Sequence, residues 1–107
     1  MEFKIKSIHF DAAEKLETFI VKKVSKLERC YDGIMMADVV LKVVKPESVK
    51  NKSAAIRIKI RNGDCYAEKI CDTFEESVDL AVEALEKQLL KMKEKSKVKI
   101  KIIEKTE

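Results

Sequence analysis

The chain has 107 residues, of which 39% are charged and 46% hydrophobic, and carries a formal net charge of +4. That length supports one core and excludes a second of comparable size, and the net charge is too small to identify a polyanionic partner without knowing where the charges lie. No apolar run approaches the roughly 20 residues that span a bilayer, and Met1-Glu2-Phe3-Lys4 lacks the apolar stretch of a secretory leader, so a cytoplasmic protein without membrane contact is expected.

Glu2 to Ile8 sets Phe3 and Ile5 between Glu2, Lys4 and Lys6, the alternation of a half-buried strand. Asp11 and Glu14 have the spacing of a capping box. Behind them Leu16, Phe19, Ile20, Val24, Leu27 and Tyr31 share one helical stripe, predicting a long helix that stops near Asp32-Gly33, where Gly accepts the left-handed conformation.

Ile34 to Val44 is β-branched and apolar, with Val39, Leu41 and Val43 on one face and Asp38, Val40 and Lys42 on the other. Lys45-Pro46-Glu47 breaks this second strand, and Ser48 to Lys52 reads as a polar loop. Ser53 to Arg61 alternates Ile56, Ile58 and Ile60 with Arg57, Lys59 and Arg61. Asn62-Gly63 is a two-residue hairpin signal, which makes Asp64 to Cys71 the antiparallel fourth strand.

Asp72 and Thr73 are both candidate N-caps, with Glu75 or Glu76 completing a capping box. The stripe Phe74, Val78, Ala81, Leu85, Leu89 and Met92 carries a second long helix. Beyond it, Val98, Ile100 and Ile102 alternate with lysines, so residues 96–107 are expected as a basic tail, mobile or forming a short added strand, after a domain of residues 1–95. The expected fold is α+β, in the order β-α-β-β-β-α, with both helices on one face of a four-stranded sheet and the other face in water. The expected fold is double-stranded-RNA-binding-domain-like, a fold that reads RNA shape and backbone.

The chemistry-bearing residues argue against catalysis. Cys30, Cys65 and Cys71 are odd in number and lack zinc-knuckle spacing, so they read as thiols, with Cys30 the most reachable. His9, the single histidine, ends the first strand, and Asp79 and Glu83 lie one helical turn apart on an exposed face. Neither forms a nucleophile–base pair or a metal site, and no enzyme activity, cofactor, metal or small-molecule substrate is expected.

The charges are sorted by sign. At about 100° per residue, Lys15, Lys22, Lys26 and Arg29 gather on one flank of the first helix, and Glu14, Glu17 and Glu28 on the other. The second helix repeats this, with Lys87, Lys91 and Lys95 on one flank and Glu75, Asp79, Glu83 and Glu86 opposite. Lys23 projects close to the apolar stripe and is expected to snorkel out through the groove between the helices. Were both basic flanks to line that groove, they would form a continuous positive channel for phosphates.

Lys26-Leu27-Glu28 leading to Tyr31-Asp32, then Val39-Val40-Leu41-Lys42-Val43, and Val78-Asp79 followed by Leu85-Glu86-Lys87-Gln88-Leu89-Leu90-Lys91-Met92-Lys93 resemble the short ribosome hibernation-promoting factors and ribosome-associated inhibitors, also described as sigma-54 modulation proteins. Lys69-Ile70-Cys71-Asp72-Thr73-Phe74 departs from that family in lacking its Asp-Met-Tyr lead into the second helix. The resemblance implies a non-catalytic domain on the small ribosomal subunit, near the decoding centre, that inhibits translation in idle ribosomes. It implies rRNA contacts at Lys23, Lys26, Lys87, Lys91 and Lys93; helix geometry adds Lys22, Arg29 and Lys95. The long forms, with their own dimerisation domain, are a poorer match, and a protein monomeric off the ribosome is expected. Two other readings fit the same residues: a protein-interaction module or transcription modulator acting through a sheet edge, and a generic double-stranded-RNA binder.

Overall fold

A computed structural model describes residues 1–8, 13–44, 50–61 and 63–106, with side chains through residue 93. The elements are β1 (Glu2–Ile8), α1 (Glu14–Ser25), α2 (Leu27–Cys30), β2 (Ile34–Val43), β3 (Lys52–Ile60), β4 (Gly63–Cys71) and α3 (Phe74–Thr106). The strands lie in the order β1-β2-β3-β4. β1 pairs with β2 in parallel, and β2 with β3 and β3 with β4 antiparallel. The expected α+β architecture is therefore the observed one.

The period-two pattern sorts the strands as expected. Val39 and Leu41 of β2 and Ala54, Ile56 and Ile58 of β3 are fully buried beneath the helices, whereas Arg57 and Lys59 are exposed on the opposite face. The helices complete the core with Ile20, Val24 and Leu27 from α1 and α2, and Val78, Ala81, Leu85 and Leu89 from α3. Each of the larger buried side chains contributes about 1.5–3 kcal/mol by leaving water.

The first helical stretch is interrupted at Lys26. There the Lys26 N–H donates to the Lys23 carbonyl at 3.3 Å and the Arg29 N–H to the Lys26 carbonyl at 3.1 Å, so a tightened 3₁₀-like turn separates α1 from α2. Asp11 lies outside the described residues, as does His9. The expected Asp11–Glu14 capping box is not how α1 begins: Ala13 occupies the N-cap without a side-chain bond, and its carbonyl accepts from Leu16 and Glu17. Glu14 is consequently the first helical residue rather than the third, and with Glu17 it offsets the helix dipole in the first turn.

At α3 the choice between Asp72 and Thr73 is resolved by geometry, since Thr73 Oγ1 accepts the Glu76 N–H at 3.1 Å. One turn further on, the buried Ser77 hydroxyl lies 2.5 Å from the Lys52 carbonyl and 3.1 Å from that of Thr73, tying α3 to the start of β3. Gly33 follows α2 with φ +92°, the left-handed turn expected there. Ile60 and Gly63 form the last pair of the β3–β4 hairpin. The breaker at residues 45–47 and Asn62 lie outside the described residues.

Residues 96–106, expected as a mobile tail or an added strand, continue α3 as helix. No Gly or Pro interrupts residues 74–106, and Lys93-Glu94-Lys95-Ser96-Lys97 has no turn chemistry to send the chain back to a sheet edge.

Candidate nucleic-acid interface

The two helices run in parallel. Lys23 of α1 meets Asp79 of α3, with Nζ 3.1 Å from Oδ1. Seven residues further along, Cys30 lies within the electrostatic reach of Glu86 and Lys93. Contacts thus advance along both helices in the same direction. On its other side α3 faces β4, where Gln88 Nε2 donates to the Tyr66 carbonyl at 3.0 Å.

This packing decides where the sorted charges go. Each helix, viewed with its apolar stripe against the sheet, carries its cations on the same hand. Two parallel helices of this kind set the basic flank of one against the acidic flank of the other; antiparallel helices would have joined the basic flanks. Lys23 therefore looks across the groove to Asp79, and Glu86 lies on the same side of α3 near Cys30, whereas helical spacing puts Lys91 toward the Gln88 side, away from α1. The continuous positive channel between the helices is not formed. Two cationic zones instead flank an acidic seam.

Lys22, Lys26 and Arg29 are exposed on α1, its tightened turn and α2, and Lys91 and Lys93 are exposed on α3. Among the described residues, none of these five has a carboxylate within ion-pair distance. The other candidates differ. Lys23 does emerge at the helix groove, with its side chain 27% exposed, but it is held there by Asp79 and by the Phe19 ring, whose centroid is 5.6 Å from Nζ. Lys87 Nζ is 3.9 Å from Glu83 one turn earlier, in the favourable Glu-before-Lys order. The side chain of Lys95 lies outside the described residues.

Cys30 is half-buried beside the groove, in keeping with its expected accessibility, while Cys65 and Cys71 are buried. Loss of hydration pushes the Cys30 thiol above its ordinary pKa, Glu86 adds to that rise and Lys93 opposes it. Burial, with a smaller contribution from Asp64, pushes the Cys65 thiol up as well.

The sheet's open face holds features that alternation alone does not reveal. Strand register sets Lys4, Asp38, Arg57 and Tyr66 in one row across all four strands. Arg57 caps the exposed Tyr66 ring at 5.4 Å from its centroid and lies 3.9 Å from Asp64. At the start of β2 the pairing skips Met35. The available signal for this bulge was the unbroken apolar run Ile34-Met35-Met36 at the head of an otherwise alternating strand.

Residues 3–97 match the protein family described as Sigma 54 modulation protein / S30EA ribosomal protein. A curated relative, the ribosome hibernation promoting factor of Azotobacter vinelandii, is 28% identical over 95 residues, which cover 89% of this chain and 85% of the relative. Among solved structures, the N-terminal domain of Protein Y from Thermus thermophilus is similar with a TM-score of 0.76 and 26% identity, over 86% of this chain and 99% of that one. A ribosomal subunit interface protein from Coxiella burnetii is similar with a TM-score of 0.78 and 25% identity, over 87% of this chain and 98% of that one.

Proposed function

Because the chain belongs to the family of sigma 54 modulation proteins and S30EA ribosomal proteins, we propose that it is a ribosome-binding dormancy factor whose helical face docks on ribosomal RNA. In this reading it sits on the small subunit near the decoding centre and inhibits translation in idle ribosomes, acting in the cytoplasm as a monomer until bound and carrying out no catalysis. The similarity to a hibernation promoting factor and a ribosomal subunit interface protein supports the ribosome as partner.

The observation that carries the proposed site is a set of exposed cations on the helical layer that have no ion pair among the described residues: Lys22, Lys26 and Arg29 along α1, its tightened turn and α2, and Lys91 and Lys93 on α3. Unpaired lysines and arginines release counterions from phosphates without first breaking a salt bridge, so they contribute most of the salt-dependent affinity. Lys95 is assigned to the site by its position one helical turn after Lys91. Lys23 and Lys87 act as secondary contacts, since each must leave a carboxylate to reach a phosphate.

Co-sedimentation with ribosomes and separated subunits, at low and moderate salt, tests this directly. The wild-type protein is expected to travel with the small subunit and a Lys26→Glu, Lys91→Glu double variant to remain at the top of the gradient. Absence of binding at low salt would reject the ribosomal reading and favour a protein partner recruited through a sheet edge. Equal binding to bulk duplex RNA would instead identify a general double-stranded-RNA binder.

A further inference from the structure

Two sulfur atoms meet where α3 leaves the core. Leu89 is fully buried, Met92 is half-buried against the same apolar cluster, and among the described side chains of α3 none beyond Met92 packs there. Beneath it lies β4, where the buried Cys65 donates its Sγ–H to the Met92 thioether, Sγ to Sδ at 3.4 Å. Burial pushes the Cys65 thiol up, which keeps that donor protonated. Sulfur atoms at this spacing touch, and no further heavy atom fits between them.

Met92 also stands between two of the proposed RNA contacts, with Lys91 before it and Lys93 after it, both exposed. Structure opens first where buried apolar contacts run out, so the position of both ammonium groups depends on this last anchor. A thioether packs as an apolar group, but it is open to oxidation. A peroxide transfers one oxygen to the sulfur: the O–O bond breaks, an S–O bond forms, the sulfur loses two electrons, and the peroxide leaves as water or an alcohol. The resulting sulfoxide is polar and bulkier, a poor fit in an apolar cluster whose donor at this point is a weak thiol.

We propose that Met92 is an oxidation site that controls RNA binding: a peroxide converts its thioether to the sulfoxide, this turn of α3 lifts from β4, and Lys91 and Lys93 lose their fixed place against the phosphates. This inference rests on the ribosome-binding reading above and adds to it a chemical control of its α3 cations. Met35 supplies an internal comparison. It is 62% exposed in the β2 bulge, more than any other large hydrophobic described, and lies outside the core cluster, so its oxidation should be faster and without effect on binding.

Wild type, Met92→Leu and Met35→Leu, each confirmed as folded by circular dichroism, are treated with hydrogen peroxide for increasing times. Dithiothreitol then reverses disulfides and sulfenic acids but leaves sulfoxides in place. Peptide mass spectrometry reads the sulfoxide at each methionine, and co-sedimentation with the small subunit reads affinity. Wild-type binding is expected to weaken roughly tenfold in step with the Met92 sulfoxide and not with that of Met35, and Met35→Leu should respond in the same way. Met92→Leu, close to Met in volume, should bind as wild type does and keep its affinity after treatment. Loss of binding by treated Met92→Leu overturns the control at Met92, as does undiminished binding by wild type once Met92 is oxidised. Failure of Met92 to oxidise while Met35 is fully converted also overturns it. Each of these results leaves the ribosomal reading intact, whereas failure of untreated wild type to bind removes both.

Discussion

Lys23 and Asp79 join the two helices across their groove, Nζ to Oδ1 at 3.1 Å, with the ammonium also lying against Phe19. The pair occupies the place where sequence geometry had put an outward-reaching phosphate ligand. Its partners are partly solvated, at 27% and 56% side-chain exposure, so the pair stabilises the fold by no more than about 1 kcal/mol. Its larger consequence is competition: a phosphate that recruits Lys23 must displace Asp79.

Asp79→Asn should therefore improve ribosome binding while costing little stability. The expected result is urea unfolding shifted by less than about 1 kcal/mol. Affinity for the small subunit should rise a few-fold, and the salt dependence should steepen by about one phosphate contact. Unchanged or weaker binding would show that Lys23 takes no part in RNA recognition.

Leu85 is fully buried in α3 among core side chains from both layers. Leu85→Ala removes that apolar volume from a close-packed interior and should cost about 2–5 kcal/mol. Urea denaturation followed by circular dichroism reads the loss. A change below about 1 kcal/mol would mean that α3 is not held against the sheet as described.

Ser77 is buried, and its hydroxyl reaches the Lys52 carbonyl where β3 begins. Ser77→Ala leaves that carbonyl without this partner and should destabilise the domain by about 1–2 kcal/mol. Because the site is far in sequence from Lys26 and Lys91, binding by the folded fraction should be unaffected, which gradients run well below the melting temperature can check.

Cys30 should be the one cysteine alkylated readily by iodoacetamide in the folded protein, with Cys65 and Cys71 protected until unfolding. Its raised pKa predicts slower reaction near pH 8 than a free peptide thiol, because the thiolate is the nucleophile. Glu86→Gln removes a contribution that raises the pKa and should accelerate labelling; Lys93→Ala removes one that lowers it and should slow labelling. Mass spectrometry of timed samples gives all three rates, and an inverted order for the two variants would contradict the placement of the helices.

The local structure was legible because each signal is carried by neighbouring residues. Ile56, Ile58 and Ile60 alternate with cations because one sheet face is buried, and Phe74, Val78, Leu85 and Leu89 repeat at helical spacing because one stripe faces that sheet. The Thr73 cap is equally local, and so is the signal for the β3–β4 hairpin, although Gly63, expected in the turn, pairs with Ile60 as the first residue of β4. Local signals misled where a competing one was available: Asp11 could cap a helix that starts later at Glu14, and Val98, Ile100 and Ile102 could alternate within a segment whose backbone continues α3.

The sequence by itself determined the elements, the face each one buries and the sorting of charge on each helix, since all of these depend on residues a few positions apart. Only the tertiary structure decided that α1 and α3 lie parallel, and with that orientation the fate of the charges. Periodicity places Lys26, Asp79 and Lys91 around their own helix axes but contains no information about which way the neighbouring helix points. Parallel packing turns Lys23 toward Asp79 and carries Lys91 to the far side of α3, while the pairing of β2 with β3 turns Met35 out of the ladder. These are relations between distant segments, set by how the apolar faces close over one core.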